Sequence, residues 1–180
     1  MKKWLEFWSE RIGADYMMGG RPTTAWLVAA VLLISACANA EPLPPARDLA
    51  ADARLAAAER TPIMVFFASR YCPYCGEVED LYLRPMQQRG EFARRVVLRV
   101  VIVESSEPLR DFAGELTRHE TFARREAALF TPTIRFYGPD GKEVAPALRG
   151  YSSADFYLAE LESAIDVAVA ALQHETASRR

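Results

Sequence analysis

Apolar residues gather in short blocks along this chain, with mixed, longer stretches between them. Pro62 to Ala68 (PIMVFFA) is an unbroken apolar run of β-branched and aromatic side chains. It predicts a strand buried on both faces. Further strands are predicted at Val96 to Glu104 (VVLRVVIVE), Pro132 to Tyr137 and within Lys142 to Arg149. Pro146 cannot donate to a ladder, so the last is expected to be short or at an edge. Gly138-Pro139-Asp140-Gly141 reads as a turn, with Asp-Gly as its hairpin signal. Arg47 to Arg60 is rich in Ala and Leu and predicts a helix. So do Gly76 to Gln88, which Pro85 is expected to kink or end, and Leu116 to Leu129. Ser105 to Gly114 reads as a loop. Ser152 or Ser153 can cap a long final helix through Leu172. Residues 173–180 form a polar tail, expected to fray.

Helix and strand alternate early, which favours parallel strands with crossover helices. The hairpin adds an antiparallel edge. The expected architecture is α/β, a mixed central sheet flanked by helices. It occupies residues 47–172 and shows no internal repeat.

The first forty residues differ. Ala25 to Ala36 (AWLVAAVLLISA) is an uncharged stretch of twelve. A bilayer span takes about 20 apolar residues. Twelve suits a signal-peptide core, with Lys2, Lys3, Arg11 and Arg21 as its positive flank. Two processing readings stand side by side. Ala38-Asn39-Ala40 is an A-x-A site that would free the chain from Glu41. Ile34-Ser35-Ala36-Cys37 resembles a bacterial lipobox, with Cys37 as the lipidated N-terminus. The flank also carries Glu6, Glu10 and Asp15, which fits a true start at Met17 or Met18, or an uncleaved anchor. Residues 1–40 are thus a signal peptide or membrane anchor, and 41–46 (EPLPPA) a Pro-rich linker expected to act as an extended spacer. The consequence is export to an oxidising compartment, most simply a bacterial periplasm, soluble or tethered.

Composition narrows the function. The 180 residues are 51% hydrophobic and 26% charged, an ordinary globular balance that excludes a disordered chain. The net charge is −2; without residues 1–40 it is −3, from 18 basic and 21 acidic side chains. Neither value gives an electrostatic reason to expect nucleic acid. The pairs Arg94-Arg95 and Arg124-Arg125 read as solvated faces rather than a binding patch. With 3 Cys and 2 His, a cysteine- or histidine-rich metal cluster is not expected, and no cofactor is implied.

The chemistry lies in Tyr71-Cys72-Pro73-Tyr74-Cys75, directly after PIMVFFA and opening the next helix. A Cys at a helix N-terminus faces unsatisfied N–H groups and the positive end of the dipole, which favours its thiolate. The thiolate is the nucleophile in disulfide exchange. Cys75 lies one helical turn on and can attack a mixed disulfide formed at Cys72. Pro73 suits the first turn, where its missing N–H costs nothing. Cys72 is therefore expected to attack and Cys75 to resolve, the pair cycling between dithiol and disulfide. Half a zinc site would need two further ligands, and a purely structural bridge across so short a loop would constrain little chain entropy. Tyr71 and Tyr74 either shape a substrate groove or simply pack. Thr131-Pro132-Thr133 opens the third predicted strand, where a cis proline would leave the Thr131 backbone free to pair with an extended substrate segment. His119 is read as a surface or packing residue in preference to one that tunes Cys72.

PIMVFFASRYCPYC, then TPTIRFYGPDGKEV, then LRGY before a final helix resembles the thioredoxin superfamily, over about Leu49 to Leu172. Within it the chain resembles exported thioredoxin-like proteins of the SoxW kind. The resemblance implies a thioredoxin-like three-layer fold and a thiol:disulfide oxidoreductase. It implies Cys72 as nucleophile, Cys75 as resolving thiol and Pro132 as the cis-proline. The chain departs from thioredoxin in having CPYC where thioredoxin has CGPC. CPYC also occurs in glutaredoxins, but the insert from Glu104 to Thr131 and the long last helix do not resemble one. Thioredoxin's buried Asp, six residues before its first Cys, is replaced by Phe66. Glu77, Glu79 and a water are the alternatives for receiving the proton of Cys75. The expected partners are protein thiols and disulfides, with a membrane electron donor or acceptor, and the chain is expected to be a monomer. A tethered binding or metal-delivery module without turnover is the competing reading; its usual CxxxC spacing differs from the CxxC here.

Overall fold

The computed structural model describes residues 42–178. The expected leader or anchor with Cys37, and Glu41 of the linker, lie outside the described residues, as do the last two of the tail. In chain order the elements are α1 (Leu49–Glu59), β1 (Ile63–Ala68), α2 (Pro73–Val78), a π turn (Glu79–Leu83), α3 (Arg84–Gln88), α4 (Gly90–Ala93), β2 (Val97–Ile102), β3 (Pro108–Arg110), β4 (Leu116–Arg118), α5 (His119–Arg125), β5 (Thr133–Tyr137), β6 (Glu143–Arg149) and α6 (Ala154–Ser178).

The main sheet has the order β2-β1-β5-β6. β1 is central and fully buried, as its unbroken apolar run requires. Successive side chains of a strand point to opposite faces. Met64, Phe66 and Ala68 face a core with Cys75, Val78, Leu83, Tyr157 and Leu161. Ile63, Val65 and Phe67 face a second core with Leu49, Ala56, Leu109 and Phe122. Helices thus cover both faces of a mixed sheet, giving the expected three-layer α/β fold. β6 is an edge, and Pro146 falls in a register irregularity between Ala145 and Leu148, where a missing N–H costs no ladder bond.

Several local expectations are corrected. The described part of the Pro-rich linker is docked on the sheet. Val100 N–H donates to the Pro44 carbonyl at 2.9 Å and Ala46 N–H to the Val100 carbonyl at 2.8 Å. Leu43 and Ala46 are buried. The segment covers the outer edge of β2, whose backbone groups need partners. The helix after the cysteines begins at Pro73 and does not end at Pro85. Arg84 N–H reaches back to the Glu79 carbonyl, and the widened π turn lets the helical path pass a residue without an N–H.

The stretch expected as a loop and then a helix from Leu116 instead forms a hairpin. Pro108↔Arg118 to Arg110↔Leu116 pair antiparallel, and α5 starts only at His119. The Asp111 carboxylate builds the connecting turn, accepting the N–H groups of Ala113 and Glu115 at 2.9 Å each. Such side-chain-to-backbone bonds compete with helix, and pairing overrides propensity. Arg125 is not merely solvated: it donates to buried Asp111 at 2.7 Å. The last helix runs through Ser178, beyond the expected end at Leu172, because extending a formed helix adds one bond per residue. β5 runs antiparallel to β1, against the parallel order that alternation favoured. α5, with seven residues and about 10 Å of rise, is shorter than the strand of about 20 Å that a parallel crossover must pass. No helix among the described residues is long and apolar enough to cross a membrane.

Candidate active site

Two strand ends and two turns meet at the motif. β1 ends at Ala68, and Ser69 to Tyr71 carry the chain into α2. The Cys72 N–H donates to the Ser69 carbonyl at 3.2 Å, the Tyr71 N–H to Ser69 Oγ at 3.2 Å, and the Arg70 N–H to Glu104 Oε1 at 2.7 Å. Cys72 is the N-cap of α2: its Sγ accepts the Cys75 N–H at 3.2 Å. Pro73 occupies the first turn, as its fixed φ suits. Cys72 is half-buried and Cys75 is buried, and both are free thiols.

Burial pushes the Cys75 thiol up to about 12. The Cys72 thiol beside it also raises it, while the Ser69 backbone and the Thr131 hydroxyl act in the opposite sense. The Phe66 side chain belongs to the same apolar core as Cys75. Glu79 is committed to Arg84 at 2.7 Å, and Glu77 is exposed.

The antiparallel pairing of β5 sets Thr133 opposite Phe67, which brings the residues just before β5 to the cysteine end of β1. The Thr131–Pro132 peptide bond is cis. β6 returns Arg149 opposite Thr133, and the Gly150 N–H donates to the Pro132 carbonyl at 2.7 Å. Tyr74, Phe130, Thr131, Pro132, Gly150 and Tyr151 line one open groove. Of the residues singled out in the sequence, the structure therefore brings Tyr74, Thr131 and Pro132 together in one groove, with Thr131 and Pro132 carried to the cysteine end of β1. Tyr71 is 86% exposed, so it does not pack, and it is not part of the groove wall.

His119 is buried and structural. Its Nδ1 accepts the Ile102 N–H at 3.1 Å and its Nε2 faces the Ala46 carbonyl at 2.8 Å, which makes Nε2 the protonated nitrogen. It ties the docked linker to the end of β2. The expectation of a packing residue describes it; a surface position does not.

Sequence reasoning missed a tyrosine cluster under the motif. The Tyr74 and Tyr151 rings lie 5.8 Å apart, Tyr82 and Tyr157 5.0 Å, and Tyr151 and Tyr157 5.1 Å. The Tyr82 hydroxyl donates to the Ala154 carbonyl and sits 3.2 Å from the Tyr151 hydroxyl, which must then donate to it. That bond pushes the Tyr151 phenol up to about 12. Burial and the charge of Cys75 raise the Tyr157 phenol as well. The signal available in the sequence was spacing: Cys75, Val78, Tyr82 and Met86 recur on one helical face. Among the described residues, no group of three or more His, Cys, Asp or Glu side chains is placed to hold a metal ion.

No curated protein matches the chain. Among solved structures, a thioredoxin from Thermus thermophilus is 25% identical, covers 67% of this chain and 85% of that one, and gives a TM-score of 0.45. The periplasmic thioredoxin SoxS of Paracoccus pantotrophus, in its reduced form, is 18% identical, covering 59% of this chain and 98% of that one, with a TM-score of 0.41. The DsbD C-terminal domain of Neisseria meningitidis, in its oxidised form, is 19% identical, covering 67% and 98%, with a TM-score of 0.43. A family model described as a thioredoxin-like domain matches residues 49–165, most of the chain, and this chain belongs to that thioredoxin-like family.

Proposed function

We propose that the protein is a thiol:disulfide oxidoreductase acting on protein substrates, with Cys72 as nucleophile and Cys75 as resolving thiol. The reading rests on one observation above all: a half-buried thiol caps the first turn of a helix and takes an N–H on its sulfur, with a second, buried thiol beside it. The more accessible sulfur is that of Cys72, and the Cys75 backbone N–H touches it at 3.2 Å, which supports these roles. The groove wall of Tyr74, Thr131 and Pro132 suits an extended segment carrying the target cysteine, with Tyr71 and Pro73 flanking the entry. Export, processing at Cys37 or Ala40, and likeness to proteins of the SoxW kind complete the proposal: a periplasmic enzyme, monomeric, that exchanges electrons with a membrane partner. A reduction potential near about −270 mV would make it a reductant, and one near about −120 mV an oxidant.

Trapping tests it. Cys72→Ser is expected to abolish reduction of a protein disulfide such as insulin. Cys75→Ser is expected to accumulate mixed disulfides that reducing agent releases. Normal turnover by Cys72→Ser, or Cu(I) binding without any reduction by the wild type, overturns the reading.

A further inference from the structure

We propose that the hydrogen bond from the Tyr151 hydroxyl to the Tyr82 hydroxyl fixes the spacing between the two walls of the substrate groove, which makes Tyr151 a positioning residue for protein disulfides. The inference rests on the exchange reaction proposed above and names what shapes its binding step. One wall is the cis-proline turn of Thr131 and Pro132; the other is Tyr74 of α2, inside the motif itself. These walls come from elements far apart in the chain, so a third segment must hold them in register. Gly150 and Tyr151, between β6 and α6, touch both. The Gly150 N–H donates to the Pro132 carbonyl at 2.7 Å. One residue on, the Tyr151 ring lies 5.8 Å from that of Tyr74, tilted by 35°. Tyr74 is 54% exposed, so core packing does not fix its ring.

Tyr151 is itself anchored from the core side. Tyr157 of α6 and Tyr82 of the π turn are both buried, and their rings lie 5.1 and 6.2 Å from that of Tyr151. Aromatic pairs at such separations attract each other but tolerate a range of tilts. The hydroxyl bond removes that freedom. The Tyr82 hydroxyl gives its proton to the Ala154 carbonyl at 3.2 Å, so it accepts from the Tyr151 hydroxyl, also at 3.2 Å. Tyr151 is thereby held at both ends. Its backbone follows the glycine bonded to the cis-proline, and its oxygen is tied to the helical path that starts at Cys72.

The bond is better suited to order than to stability. Tyr151 is half-buried and lines the open groove, so water can replace a lost partner at its oxygen, while the Tyr82 hydroxyl keeps the Ala154 carbonyl. What the bond supplies is a single tilt of the Tyr151 ring, and through it of Tyr74. Without it both rings sample other tilts, and an extended substrate segment must restrict them on binding, which costs affinity. A small disulfide that does not span the groove meets no such cost, and the chemistry at Cys72 is untouched.

The test uses the full chain carrying Cys37→Ser, so that only the motif thiols react, fully reduced and mixed in single turnover with two disulfides. Insulin is the protein disulfide; 2,2′-dithiodipyridine is small and uncharged and reports the reactivity of Cys72 alone. In Tyr151→Phe the second-order rate constant with insulin, divided by that with dithiodipyridine, is expected to fall about two- to tenfold, the range of one lost neutral hydrogen bond. Tyr82→Phe should lower the ratio by the same factor, and the double variant should lower it no further, because either change removes the same bond. A fall of less than about twofold in both single variants overturns the inference and leaves the exchange reaction standing. So does a double variant that loses the product of the two single effects, which would make the hydroxyls independent. Equal losses with both disulfides also overturn it, because they assign the tyrosines to the integrity of the motif. A parent chain that does not reduce insulin overturns the exchange reading itself.

Discussion

Replacing Gly150 with alanine tests how the fold holds the mouth of the groove. Gly150 has φ +81° and gives its N–H to the Pro132 carbonyl at 2.7 Å. A Cβ placed there would stand 3.3 Å from Cε1 of Phe130. The left-handed conformation costs a non-glycine residue roughly 1–2 kcal/mol. The steric contact adds little, because Phe130 is 66% exposed and its ring can swing away. Gly114 supplies the reference: φ is +82° and nothing lies within 4 Å of its would-be Cβ. Gly114→Ala therefore carries the conformational cost alone. Both variants should lose about 1–2 kcal/mol by urea denaturation at unchanged m, and melt roughly 2–8 °C lower. Only Gly150→Ala displaces Phe130 and loads the bond to Pro132, so only it should slow insulin reduction, by about threefold or more, an effect worth roughly 0.7 kcal/mol in the barrier. Two results would refute the reasoning. One is a Gly150→Ala protein as stable and as active as the wild type. The other is a Gly114→Ala protein slowed as much as Gly150→Ala.

Other perturbations reach the scaffold. The Arg125 guanidinium and the turn amides hold the Asp111 carboxyl below its ordinary value despite burial. A lowered folded value means that its stabilisation is present above the unfolded value of about 3.9 and is lost as pH falls through the folded one. Asp111→Ala should cost about 3 kcal/mol at neutral pH and flatten the acid limb of a stability-against-pH curve; an unchanged limb would contradict this. Ala127 ends α5 at φ +50°, a left-handed position without a glycine. Ala127→Gly should raise stability by about 0.5–1 kcal/mol, read as a higher urea midpoint.

The elements legible from the sequence are those whose signal is local. β1 sits between two cores, so both faces of its run had to be apolar. The Asp140-Gly141 turn, the edge position forced by Pro146 and the capping position of Cys72 are also written in adjacent residues. β3 and β4 were not legible, because three-residue strands carry no period and their turn depends on one buried carboxylate meeting Arg125. Nor was the docked linker, since prolines read as a spacer until an open strand edge is found beside them.

The sequence by itself determined the chemistry on offer: two thiols one helical turn apart, opening a helix after a buried strand, and a proline able to be cis. These follow from neighbours along the chain, where covalent geometry and capping act directly. Only the tertiary structure decided what those thiols meet. The antiparallel course of β5 carries Thr131 and Pro132 to the cysteine end of β1, and β6 brings Gly150 and Tyr151 after them. The burial of Cys75 in one core with Phe66, and the groove that Thr131 and Pro132 share with Tyr74, depend on that pairing between strands some seventy residues apart. Strand direction is set by which backbone ladders and side-chain faces complement one another in space, and no local preference of the chain encodes it.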